Sequence, residues 1–324
     1  MNFQEIFYND AGRPRSGWRF SVFLALFLLL SVIFVVGAVA VLSNLPIGFT
    51  QGSLLYFIIP FAVSAAVSIF LGWLLGKVFE DLPFRALGCW FTRNWLKDLI
   101  LGLIIGAISL GFAALIAYAF GGMKFEMNQT SGSVPILLTL SVTLLVFTVG
   151  AISEEVLFRG YLLQTMSRSN LFLLGTFLTS LFFASAHNDN PSASIFSWLN
   201  TFIAGIWFAL AYLKTRNLWF PFGIHLAWNW VQGSILGINV SGLDQLATAP
   251  ILRVTESGNA FIGGGDYGIE GGIACTIALV FSTALIYFLP IFKPTEEMLA
   301  LTSEEKPLQT KSPESTDNIG NFDA

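Results

Sequence analysis

Charge is what this sequence has least of. Only 11% of its 324 residues are Asp, Glu, Lys or Arg, against about 25% in an average soluble domain. Histidine and cysteine occur twice each, which excludes a His-rich metal tract and a disulfide scaffold. Basic charge is not in excess: the net charge is −4 and the pI near 5.2, so there is no electrostatic footprint for nucleic acid. No H-E-x-x-H is present, which removes the zincin arrangement. No G-x-S-G stands beside a usable histidine, so a serine protease of the rhomboid kind is absent too. What is abundant is apolar surface. The apolar fraction is 55%, phenylalanine occurs 32 times and the mean hydropathy is +0.72. A soluble fold of this length cannot hide that much, and the excess must face lipid.

A membrane-spanning helix needs about 20 apolar residues. Eight segments qualify as candidates: 18–42, 54–76, 98–120, 134–158, 171–187, 198–213, 218–236 and 272–292. The expected fold class is all-α, a polytopic membrane bundle of about eight helices with an intramembrane active site. Gly72-x-x-x-Gly76 and Gly102-x-x-x-Gly106 are spacings that let helices approach closely. Packing within the chain is favoured over dimerisation for both, and the sequence leaves the oligomeric state open.

Lys and Arg set the orientation. With eight spans, thirteen of the sixteen fall on one side, among them Arg13, Arg15, Arg19, Lys77, Arg85, Arg93, Lys97, Arg168, Lys214 and Arg216. The other side has Lys124 and Arg253, and Arg159 lies inside a span. This places both termini in the cytoplasm of a multi-pass plasma-membrane protein, with a bacterial inner membrane favoured by the compact loops. The first span reads as a retained anchor, since no A-x-A-like site follows it closely. Four parts result: residues 1–133 with the first three spans, 134–236 as a four-helix catalytic core, 237–292 with a Gly-rich outer loop and the last span, and 293–324 as a disordered cytoplasmic tail. Cys89 and Cys275 fall on opposite faces and do not pair.

An ionisable residue at bilayer depth costs several kcal/mol and marks a functional candidate. The candidates are Glu154, Glu155, Arg159, His187 and His225, with Asn229 as a neutral companion. Glu155 and Arg159 are four apart and share a helix face, whereas Glu154 lies about 140° from Arg159. Glu155 is therefore the ion-pair partner, and Glu154 is left for chemistry as a general base. His225 and Asn229, also four apart, present together as donors. Counting from the turn near residue 170 brings Glu154 and His187 to one level, about 22–26 Å along their helices. The expected cavity is reached from the cytoplasm.

These residues resemble a known family. Glu154-Glu155-Val-Leu-Phe-Arg159, Phe183-Ala-Ser-Ala-His187 and His225-Leu-Ala-Trp-Asn229 are similar, in order and on successive helices, to the signature of CPBP intramembrane metalloproteases. That family includes the type II CAAX-processing endopeptidases. The resemblance implies that Glu154 with His187 activates a water, that His225 and Asn229 stabilise the oxyanion, and that Glu155 and Arg159 hold the helix. It implies an endopeptidase acting on a peptide or membrane protein within the lipid bilayer, prenylated C-a-a-X proteins being the eukaryotic-type substrate.

Two alternatives stay open. His187, His225 and Glu154 form a three-ligand zinc set, although the metal-free glutamate mechanism, with no cofactor, is favoured. A non-proteolytic scaffold, immunity factor or transporter is the reading from another class. The match of Gly263-Gly264-Gly265-Asp266 to the G-x-G-D of aspartyl proteases lies in a polar loop and has no partner Asp in a span. Reporter fusions at residues 10 and 310 should both give cytoplasmic signals; an external signal at either end breaks the eight-span topology.

Overall fold

The computed structural model describes residues 3–45, 53–243 and 247–303. Eight apolar helices occupy the expected places. They are α1 (Ser16–Leu42), α2 (Leu54–Glu80), α3 (Trp95–Ala119), α4 (Ser133–Arg168), α5 (Phe172–Ser185), α6 (Ile195–Thr215), α7 (Trp219–Trp230) and α8 (Ile273–Phe288). The chain is an all-α, multi-pass membrane bundle. Among the described residues five helices, α1 to α4 and α6, are long and apolar enough to cross a bilayer unaided. The 14 residues of α5, the 12 of α7 and the 16 of α8 fall short of the length needed, so the count of eight spans is not met by length alone.

Lipid is the solvent for the outer helices. Leu28, Leu29, Val32, Ile33, Phe34 and Val36 on α1 are all more than half exposed, a surface no aqueous fold would tolerate. Between helices already in lipid the hydrophobic effect supplies little, so close backbone approach and polar ties hold the bundle. α3 and α7 show the first device. A Cβ on Gly102 would strike the carbonyl oxygen of Phe220, one on Gly106 that of Ile224, and one on Gly223 that of Leu99. The Gly-x-x-x-Gly of α3 is thus spent inside the chain. Gly72 on α2 likewise sits against Leu87 and Tyr161.

The second device is an ionic knot at the basic end. Glu80, at the end of α2, accepts from Arg19 Nη1 of α1 at 2.6 Å and from Arg168 of α4, Nε at 2.8 Å and Nη2 at 2.9 Å. All three side chains are buried. Arg168 also donates to Gln164, which in turn donates to the carbonyl of Leu87. Nearby, Arg216 reaches Ser167, and Asn217 donates to Asp98. The Lys- and Arg-bearing turns therefore converge on one end of the bundle.

The opposite end contains structure that the all-α expectation omitted. β1 (Met123–Met127) and β2 (Leu252–Ser257) pair antiparallel, with a bulge between Lys124 and Phe125. Asn128 extends the pairing by donating its backbone N–H to Ile251 O, and its side-chain amide donates to Pro250 O. Part of the Gly-rich outer loop is thus tied to the α3–α4 connection rather than hanging free. Cys89 and Cys275 are both unpaired thiols. At the C-terminus, Glu296–Thr302 forms a short helix with Met298 buried, so the expected tail is ordered at its start. The rest of that tail, residues 304–324, lies outside the described residues.

Glu80→Ala would leave two buried guanidinium groups without their counter-charge, which typically costs ~3–5 kcal/mol. Its melting temperature in detergent should fall clearly, while Lys77→Ala, which removes an exposed pair to Asp81, should not move it.

Candidate active site

α4 carries two adjacent carboxylates, and its backbone changes immediately after them. Val156–Leu162 is a π-helical stretch, of the kind that recurs at functional sites because the wider turn shifts one face of a helix relative to the next. A second one, Val231–Ile235, continues α7 from two residues beyond Asn229. Both flank the same cavity.

Glu155 is fully buried and accepts two charge-assisted hydrogen bonds on Oε1: Arg159 Nη1 at 3.0 Å and His225 Nδ1 at 2.9 Å. Arg159, also fully buried, donates through Nη2 to the carbonyl of Gly205 on α6 at 3.1 Å. Its guanidinium carbon lies 4.8 Å from the ring centre of Phe183 and 5.0 Å from that of Phe208, in cation–π range. The His225 ring stacks on Phe208, with centres 4.6 Å apart. One carboxylate thus ties α4 to α7, and through Arg159 to α6. The geometry includes the expected Glu155–Arg159 contact and adds a link from Glu155 to His225 that spacing within one helix cannot reveal.

Glu154 points elsewhere. Its side chain is 22% exposed, and its Oε2 stands 3.7 Å from His225 Nε2. That oxygen is buried and has no hydrogen-bond partner. It lines a cavity of about 480 Å³ together with His187, His225 and Asn229. So the structure gathers these four around one space, with Glu155 and Arg159 packed behind the wall. Glu154 and His187 face that space without a hydrogen bond between them. His187 Nδ1 donates to Phe183 O at 2.7 Å, which leaves Nε2 as the acceptor of a neutral ring. Glu154 stands nearer to His225 than the pairing with His187 anticipates.

Among the described residues no three His, Cys, Asp or Glu side chains are gathered as a metal set. His187, His225 and Glu154 share the cavity but do not converge on one point in this arrangement, so no step below is routed through a metal.

The cavity also takes in residues not expected from the sequence. Asn200 donates to the carbonyls of Glu270, at 2.8 Å, and Gly272, at 3.0 Å. Glu270 Oε2 accepts from the amide and hydroxyl of Ser241. Tyr267 hydrogen-bonds Ser241, Thr201 and Asn190, and burial together with the Glu270 charge pushes its hydroxyl up to about 12, so it stays protonated. A lone Asn within the sixth apolar segment was the available signal; Glu270 sat unread in the Gly-rich run. The wall carries Glu154 and Glu270 and no Lys or Arg.

These additions place part of the cavity wall at one end of the bundle. The cavity is bounded by Phe57, Pro60, Asn190, Ser241, Glu270 and Cys275. Each belongs to the end opposite the basic turns. Depth along α4 and α5 was legible from counting, but counting cannot tell which end is plugged. The basic end is plugged by Gln164 on Leu87 O, Leu218 N on Gly88 O and Asn217 on Asp98.

Glu155→Ala should lower the melting temperature by the equivalent of ~3–5 kcal/mol, because it strands a buried guanidinium. It should also free the His225 ring, detectable as a changed imidazole signal in histidine-labelled protein. Glu154→Gln should leave both readouts close to wild type.

Comparison with known proteins places the same segment. Residues 135–231 match the family described as Type II CAAX prenyl endopeptidase Rce1-like. A protein of Bacillus subtilis (strain 168) named "Putative membrane peptidase YdiL" is 26% identical over 131 residues. That stretch is 40% of this chain and 52% of the relative, so the match spans about half of the relative's length. The family segment runs from the first turn of α4 to the π turn after α7, and it contains Glu154, Glu155, Arg159, His187, His225 and Asn229. Over residues 135–231 this chain is therefore similar to the type II CAAX prenyl endopeptidase Rce1-like family, a likeness that covers less than a third of its length.

Proposed function

We propose that the cavity is the active site of an intramembrane endopeptidase that hydrolyses a peptide bond of a membrane-associated protein. The observation that carries this reading is the Glu154 carboxylate. It holds a buried oxygen with no hydrogen-bond partner at the edge of a cavity shared with two imidazoles and an amide. A buried acceptor left unmatched costs free energy. Here it is matched once a water or substrate occupies the space.

In this reading a water lies between Glu154 and His187 Nε2. Glu154 takes one proton as the water oxygen attacks the scissile carbonyl carbon, and His187 accepts a hydrogen bond from the remaining O–H. The carbonyl oxygen gains the negative charge. Asn229 donates to it from one helical turn beyond His225, and His225, as an imidazolium whose Nδ1–H is held by Glu155, supplies the second donor from Nε2–H. Donors fixed in a dry site are worth ~3–4 kcal/mol each to the transition state. The tetrahedral intermediate collapses with cleavage of the C–N bond, and the proton held by Glu154 passes to the leaving amine. Glu155 touches no reacting atom. It is a positioning residue: its bond to Nδ1 orients the His225 ring, and its charge balances the imidazolium.

A transporter would need a polar route continuing to the other face, but the cavity wall takes no residue from the basic end. The family description names prenyl C-a-a-X processing. The peptidase reaction is proposed on that likeness, without a prenyl group on the substrate. A bacterial inner membrane with both termini inside is the location proposed.

In purified protein, Glu154→Gln and His187→Ala should each abolish turnover while the fold survives. Asn229→Ala should cost ~10²–10³ in turnover, as loss of an oxyanion donor does, and chelators should leave the wild type active. Normal turnover in Glu154→Gln would sink the assignment. One bound zinc per chain, reversible loss on chelation and a near-normal Asn229→Ala enzyme would instead reverse the mechanism. Comparing cleaved proteins in membranes carrying wild type and Glu154→Ala would identify the substrate.

A further inference from the structure

We infer that the cavity receives its substrate from the non-cytoplasmic face of the membrane, so that the cleaved protein is one that exposes a segment on that face. The inference deepens the peptidase reading and rests on it for the word substrate, but the sidedness itself is fixed by the fold and the charge distribution.

Each helix that frames the cavity runs between two chemically different ends. α2 arrives at Glu80, and α4 at Arg168; these meet Arg19 in the buried knot. α6 ends beside Arg216, whose side chain reaches Ser167. Further polar contacts at that end include Arg85 with Glu297 and Asn217 with Asp98. By the excess of Lys and Arg it is the cytoplasmic end.

The cavity is built from the other end. Phe57, Pro60 and Phe61 are in the first turns of α2, and Cys275 is in the first turn of α8. Asn190 belongs to the turn joining α5 to α6, and Ser241 and Glu270 to the connection joining α7 to α8. None of residues 77–97, 168–171 or 214–219 contributes to the wall. Asn188 and Asp189, beside the mouth, are exposed, and His187 and Asn190 are half-buried. A peptide entering from the cytoplasm would have to pass the closed ionic end. One presented outside meets polar groups at Asn190, Ser241 and Glu270 first, and Glu154 beyond them.

The test is thiol labelling with a membrane-impermeant maleimide in intact and permeabilised expressing cells. The background is Cys89→Ser with Cys275→Ser. Removing Cys89 keeps the inner reference clean, and its thiol, pushed up to about 11 by burial, would be a poor reference itself. Asn190→Cys reports the mouth, Asp189→Cys the exposed surface beside it, and Arg93→Cys the basic end. Expected is full labelling of Asn190→Cys and Asp189→Cys in intact cells, with Arg93→Cys labelled only after permeabilisation. Labelling of Asn190→Cys only after permeabilisation, or at no stage, overturns the proposal, as does labelling of Arg93→Cys in intact cells. If Asn190→Cys does not accumulate, Asp189→Cys against Arg93→Cys decides the sidedness. The readout needs no turnover, so a failure here leaves the peptidase reading standing. An inactive wild type would leave the sidedness standing in the same way.

Discussion

The site depends on one buried carboxylate. Glu155 has no access to solvent, and Arg159 and His225 satisfy it from two directions at 3.0 and 2.9 Å. Taking a carboxylate out of water costs several kcal/mol even after relaxation, and only matched partners offset it. The consequence is geometric. Because Glu155 must keep both partners, α4 and α7 cannot slide past each other, and Arg159 carries the constraint to α6 through Gly205 O. The imidazole is fixed by the same contact, since Nδ1 is committed to Glu155 and Nε2 is left turned toward Glu154.

Glu154 shows what that rigidity is for. It neighbours Glu155 in sequence, yet one is sealed behind the wall and the other lines the cavity with an unmatched oxygen. In a regular helix adjacent residues diverge by about 100°, so two carboxylates in a row supply one buried tie and one cavity-facing group without needing a second element. The π stretch beginning at Val156 then re-phases the rest of α4. This lets Arg168, further along, turn into the Glu80 knot while Arg159 still faces Glu155.

How much of this was legible in the sequence follows from which contacts are local. The apolar segments and the face shared by Glu155 and Arg159 depend on spacing within one helix, and they read directly. The Glu155–His225 bond joins residues 70 apart, and no periodicity encodes it. The Gly102 and Gly106 spacing announced a close approach, but not that Phe220 and Ile224 would provide the opposing backbone. The π turns are invisible because they maintain the apolar pattern while changing the hydrogen bonding. β1 and β2 escaped since five- and six-residue strands flanked by Gly121, Gly122 and Gly258 look like loop. Asn200 and Glu270 were missed for a different reason. Each is an ordinary polar residue taken alone, and only the Asn200 bonds to Glu270 O and Gly272 O place them on one rim.

The two buried ionic clusters divide the work of a bundle that the hydrophobic effect cannot hold together from within lipid. The Glu80 knot is fully matched: both oxygens are used, and it unites α1, α2 and α4 at the closed end. The Glu155 cluster joins α4, α6 and α7 at mid-depth, but it leaves Glu155 Oε2 and Glu154 Oε2 without partners. Unmatched acceptors are costly in a dry interior, and a protein carries them where something else arrives to match them. The stability of the closed end therefore supports a deliberately incomplete site. One end of the bundle is tied shut by complementary charges, and the other keeps about 480 Å³ of space lined by acceptors, an amide and two imidazoles. That asymmetry, more than any single residue, separates this arrangement from a helix tie that merely happens to be polar.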